Sequence, residues 1–106
     1  SNSGQTCAGV ERVYVDRSVR DEFVAELRRI LTDVKPGSGS DANYGPMTMP
    51  SQVDIVRRHI DDAIAKGGTA IVGGPESVKA PFIEPVVLLD TDEDSSAVKE
   101  ETFGPT

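Results

Sequence analysis

Four consecutive apolar residues, Val86, Val87, Leu88 and Leu89, constrain this chain more than any other feature. A short run without polar alternation suits a strand covered on both faces, and helices supply such cover. The sequence offers two. Phe23, Leu27, Ile30, Leu31 and Val34 recur at spacings of three and four, which makes one apolar face of a helix that Pro36 and Gly37 stop. Val53, Val56, Ile60, Ala63 and Ile64 form the buried stripe of a second helix over about residues 51 to 66, closed by Gly67 and Gly68.

Shorter elements complete the pattern. Residues 12–15, Arg-Val-Tyr-Val, read as a strand of β-branched and aromatic residues. Ser18 then reads as a helix N-cap, with Asp21 completing a capping box. Residues 69–72 read as a strand ended by Gly73, Gly74 and Pro75, and residues 83–89 as an extended segment broken near Pro85. Residues 95–101 suit one or two helical turns. Between the two helices, "PGSGSDANYGPMTMP" at 36–50 is a loop, and its Tyr44, Met47 and Met49 predict that it packs on a surface. The order strand, helix, helix, strand, strand predicts an α/β layer with helices on a sheet.

The length, 106 residues, suits one domain. With 37% apolar residues and no Trp, its core is lean, so part of its surface is expected to lean on a neighbour. Eighteen acidic residues against eleven basic ones give a net charge of −7, which disfavours nucleic acid and anionic membrane as partners. One Cys leaves no intrachain disulfide, which fits a reducing, cytoplasmic setting.

That cysteine, Cys7, lies among small residues, with Thr6 and Ala8 beside it and Gly4 and Gly9 nearby. Small neighbours leave room for a substrate. At the start of a helical turn, free amides would favour a thiolate and hold an oxyanion. The alternative is a small, packed, inert residue. At the other end, "VKEETFGPT" places Glu100 and Glu101 ahead of Phe103 and a Gly-Pro turn. A carboxylate there suits a ribose diol and an aromatic suits a flat ring, while a plain helix end and turn is the alternative. The glycines lack dinucleotide-fingerprint spacing. His59, the only histidine, reads as a solvated surface residue, and one His and one Cys so far apart offer no metal site. The acidic residues Asp90, Asp92, Glu93 and Asp94 lack calcium-loop spacing and read as a solvated loop capping the helical turn after it.

Taken together, the two ends resemble one family. "NSGQTCAGVERVYV" resembles the active-site cysteine segment of the NAD(P)-dependent aldehyde dehydrogenase superfamily, with Gly4, Gln5, Cys7 and Arg12 matching. "EETFGP" at 100–105 resembles that family's Glu-Glu-x-Phe-Gly-Pro motif, and "YGPMTMPSQ" at 44–52 resembles its Gly-Pro loop ahead of a long helix. "GGTAIVGG" and "FIEPVVLLD" resemble its following strands, so the resemblance covers essentially the whole chain.

The resemblance implies a piece of a three-layer catalytic domain, with a partial parallel sheet flanked by helices. It implies that Cys7 is the nucleophile, that Glu101 holds the nicotinamide ribose, that Phe103 lies beside the nicotinamide ring, and that Thr6 and Ala8 line a substrate tunnel. It implies an aldehyde substrate, NAD or NADP as cofactor, and a homo-oligomeric parent. The family's cofactor domain, its water-activating glutamate and its oligomerisation strand have no counterpart in these residues. Both ends are therefore expected to be cut, and the isolated piece is expected to be inactive. A relative that passes its thioester to CoA fits the same residues. So does a non-enzymatic α/β interaction module whose Cys7 is inert or redox-sensitive.

Overall fold

The computed structural model describes residues 2–106. Among the described residues, three α-helices, one of them a single turn, and two small antiparallel ladders form the molecule, and the α/β class holds. Helix α1 spans Arg20–Leu31, α2 Pro50–Ala65 and α3 Ser96–Lys99. The strands are β1 Thr69–Val72, β2 Val78–Lys79, β3 Phe82–Ile83 and β4 Val87–Leu89. β1 pairs with β4, Thr69 opposite Leu89, with an irregularity between Ala70 and Val72. β2 and β3 form a hairpin.

Helix α2 carries the core. Pro50 opens it at a position where a missing N–H costs nothing, and Gly67, at φ +96°, supplies the turn beyond its end. Val53, Val56, Ile60 and Ala63 are buried, and Met47, Val78, Ile83 and Val86 pack against that stripe. Ile64, expected on the same stripe, is exposed. The 36–50 loop is held to the surface as expected. The Tyr44 hydroxyl donates to the Ile83 carbonyl at 2.6 Å, and the Met47 amide donates to the Pro81 carbonyl at 2.8 Å. Burial, with Glu84 nearby, pushes the Tyr44 hydroxyl pKa far up. Met49 is exposed.

Several expectations need correction. Both ladders are antiparallel, and the sole parallel pairing among the described residues is the isolated Pro36–Tyr44 bridge. Of the apolar run, Val87–Leu89 pair with β1 on one edge and stay half-buried, so the expected cover on both faces is incomplete, while buried Val86 donates its amide to Pro105. Residues 12–15 form no strand, because among the described residues nothing offers them a ladder. Val13 and Tyr14 are exposed there, 61% and 81%. They border a groove of about 510 Å3 whose other walls include Phe23, Leu27, Val87 and Leu89.

The start of α1 also differs. Val19, not Ser18, stands at the cap position of α1 and offers no side-chain bond, while Asp16 caps the short turn Arg17–Val19 ahead of it, accepting both the amide and the hydroxyl of Ser18. The Ser18 hydroxyl, with the Ser18 amide, holds the Asp16 carboxyl below the usual range. The apolar face of α1 faces the groove, and none of its residues is buried. Arg28 donates to the Ile71 carbonyl at 3.0 Å and Arg20 to Asp90 at 2.8 Å, which tie α1 to both edges of the β1–β4 ladder. Finally, His59 is completely buried, not solvated.

Candidate active site

Cys7 sits in a tight turn closed by the Gly9 amide on the Thr6 carbonyl at 3.0 Å. It follows the turn Asn2–Gly4 and does not open a helix. The thiol is exposed, so the packed-residue alternative does not describe it. Thr6 is half-buried and Ala8 exposed. Among the described residues the amides of Cys7 and Ala8 make no hydrogen bond, which leaves two donors beside the thiol.

This turn is held from two sides. On one side, buried Ser3 donates its hydroxyl to the Gly45 carbonyl at 2.6 Å, and Gln5 accepts the Thr48 amide at 2.8 Å. On the other side, Gly4 lies against Gly104. With φ at +73°, a Cβ on Gly4 would strike the Gly104 carbonyl oxygen and lie 2.7 Å from its carbon. Only glycine permits that backbone approach. The Gly-Gln-x-Cys segment, the Gly-Pro loop and the C-terminal segment thus meet at one place.

Residues 100–105 run as a strap over α2. Gln52 donates to the Thr102 carbonyl at 2.6 Å, and Val56 abuts Gly104 so closely that a Cβ there would lie 2.6 Å from a Val56 methyl. His59 meets the Thr102 hydroxyl through Nδ1 and the Glu100 carboxylate through Nε2, each at 3.0 Å. Arg58 adds a 2.8 Å bond to Glu100. The His59 and Arg58 donors hold the Glu100 carboxyl below the usual range. At the far end the Val86 amide donates to the Pro105 carbonyl at 3.0 Å.

Glu101 and Phe103 are placed differently. Glu101 is exposed and, among the described residues, makes neither an ion pair nor a hydrogen bond. Phe103 is half-buried at φ +51°, a region bulky residues rarely occupy, and its amide donates to Glu11. The structure therefore brings the Cys7 turn and the Glu101–Phe103 strap side by side through Gly4, Gly104 and Glu11. Arg12 lies apart, exposed on the rim of the groove.

Sequence reasoning missed two residues here. His59 carried a signal, since it falls between Val56 and Ala63 on the inner face of α2. Glu11 carried none, because its partner lies 92 residues away. The acidic segment does less than expected: Asp92 accepts the Asp94 amide within its own loop, while the amide of Ser96 at the start of α3 is held by Asp62 of α2 at 2.6 Å. Among the described residues no cluster of side chains suits a metal ion, and no helix is long and apolar enough to cross a membrane.

The model of the aldehyde dehydrogenase family matches residues 1–106. A 4,4'-diapolycopene aldehyde oxidase of Methylomonas sp is 42% identical over 98% of this chain and 19% of its own length. A mitochondrial aldehyde dehydrogenase of Leishmania tarentolae is 39% identical over 98% of this chain and 22% of its own. Among solved structures, an NADP dependent enzyme of E. coli superposes with a TM-score of 0.90 at 33% identity, covering 97% of this chain and 22% of that one. The chain spans about a fifth of the length of the curated relatives it matches.

Proposed function

Since the chain belongs to the aldehyde dehydrogenase family, we propose that it carries the nucleophile and the nicotinamide end of a site that oxidises an aldehyde to a carboxylic acid with NAD(P)+. The observation that carries this reading is the contact of the exposed Cys7 turn with the strap bearing Glu101 and Phe103.

The chain's own residues suit each role. The Cys7 thiolate attacks the aldehyde carbon and forms a thiohemiacetal, with Thr6 and Ala8 beside the incoming substrate. The free amides of Cys7 and Ala8 are the donors available to charge developing on the former carbonyl oxygen. Loss of hydride from that carbon leaves a thioester on Cys7, and water releases the acid. A bound nicotinamide supplies the hydride acceptor. The residues present fit that group, because Glu101 offers an unpaired carboxylate to a ribose diol and Phe103 a partly open ring face to a flat heterocycle. Neither water activation nor adenosine-ribose recognition is assigned to these residues. We therefore propose that the isolated 106-residue chain is inactive; the resemblance to the family and the single cysteine support the further reading that the full-length polypeptide is a cytoplasmic homo-oligomer.

The test is dinucleotide reduction by the full-length polypeptide carrying this segment, with a panel of aldehydes and both NAD+ and NADP+. Cys7→Ser is expected to lower the rate by roughly a thousandfold or more while leaving dinucleotide binding intact. Reduction at the parent rate by Cys7→Ser would overturn the assignment.

A further inference from the structure

Among the residues the reaction does not use, His59 is the one whose placement asks for a function. It is completely buried, on a helix whose other inward residues there are apolar, and both ring nitrogens are engaged. A carboxylate only accepts, so Nε2 donates to Glu100, and Nδ1 shares a hydrogen bond with the Thr102 hydroxyl. Thr102 is itself buried, at 2% exposure, and its carbonyl is taken by Gln52. Gln52, Val56 and His59 are spaced i, i+4 and i+7, so they form one stripe of α2 that meets the strap at Thr102, Gly104 and Glu100.

The consequence lies in alternation. Glu100 is extended, at φ −107° and ψ 158°, and successive side chains of an extended chain point to opposite sides. His59 takes the side chains at 100 and 102, and the one between them, Glu101, is turned outward with no protein partner among the described residues. A slip of one residue would bury Glu101 against α2 and lift Thr102 outward.

We infer that His59 is a positioning residue for dinucleotide binding, fixing the register of residues 100–102 so that Glu101 faces the ligand with Phe103 next to it in the strap. This rests on the reading that Glu101 and Phe103 receive the nicotinamide riboside. It assigns specificity of register to a buried polar pair where an apolar pair would fill the space but leave the slip open.

The experiment uses the full-length polypeptide carrying this segment. It compares Thr102→Val, Thr102→Ser and Glu101→Gln by calorimetric titration with NAD+ and NADP+, KM for each substrate, and cofactor-free acylation of Cys7 by p-nitrophenyl acetate. Thr102→Val keeps the shape and removes the hydroxyl. It is expected to weaken dinucleotide binding by about tenfold and raise the dinucleotide KM in step, with kcat and ester acylation within about twofold. Thr102→Ser restores the hydroxyl and is expected to restore binding.

Unchanged dinucleotide binding in Thr102→Val, alongside weakened binding in Glu101→Gln, overturns the positioning role alone. Unchanged binding in both overturns the cofactor reading of the strap. Should Thr102→Val fail to fold, Glu100→Ala at the exposed end of the same chain of bonds takes its place. There a several-fold loss of dinucleotide affinity with normal ester acylation supports the role, and no loss overturns it.

Discussion

The carboxylate of Glu11 accepts the main-chain amide of Phe103 at 3.0 Å, joining the segment after the cysteine turn to the strap across 92 residues of sequence. The bond fixes a phenylalanine in the left-handed region, where its backbone would not rest unaided. Glu11→Ala is expected to weaken dinucleotide binding by about fivefold, the worth of one modest hydrogen bond, and Glu11→Gln by less because an acceptor remains. Calorimetric titration of both variants with NAD+ and NADP+ checks this, and equal affinity in Glu11→Ala would remove the bond from any role in shaping the strap.

Gly4 is the second point of contact. Gly4→Ala puts a methyl into the Gly104 peptide at a positive φ, and both partners are backbone that cannot rotate away. Strain and overpacking together are expected to cost roughly 2–3 kcal/mol. The variant's thermal midpoint should fall by several degrees. A midpoint within about one degree of the parent's would mean that the turn and the strap are not in contact.

Ile60, with Ile83 one of the two largest fully buried side chains among the described residues, sits at the centre of the α2 stripe. Ile60→Ala is expected to destabilise by about 2–5 kcal/mol and Ile60→Val by about 0.5–1.5 kcal/mol, in proportion to the methyl groups lost. Urea midpoints report both. A loss in Ile60→Ala no larger than in Ile60→Val would show that the site collapses freely around the gap.

Acid should loosen the junction of α2, α3 and the strap. The Ser96 amide holds the Asp62 carboxyl below its usual range, Lys99 does the same for Asp94, and His59 with Arg58 for Glu100. Each folded-state value is depressed, so the unfolded chain binds protons first as pH falls. The stabilisation is complete above the free-carboxylate range near pH 4 and is lost as pH falls below it through the depressed values. Urea midpoints taken from pH 6 down to pH 2.5 are therefore expected to be level at first and to drop at about pH 4 and below. Asp62→Asn should flatten part of that drop, and an unaltered acid profile in this variant would remove Asp62 from the effect.

How far the sequence reached depends on the range of the forces involved. The helices, the β1 strand, the stop at Gly67 and the packed 36–50 loop were legible, because apolar period and turn chemistry act over a few residues, whereas α1 ends at Leu31, short of Val34 and of the stop expected at Pro36. The motifs at both ends were legible as a resemblance. Residues 12–15 misled for the opposite reason: β-branched residues state a readiness to pair, and pairing requires a partner that the described residues do not provide. His59 was misread because a titratable residue on a helix is usually solvated, and only the strap folding over α2 closes it off.

By itself the sequence determined the periodic elements, the glycine stop after α2 and the residue types able to do thiol and dinucleotide chemistry, since these follow from local sterics and intrinsic reactivity. Tertiary structure alone decided that Gly4 lies on Gly104, that Glu11 holds Phe103 and that His59 is buried beneath the strap. Those relationships join residues tens of positions apart, and no local preference fixes them until the core around α2 has closed.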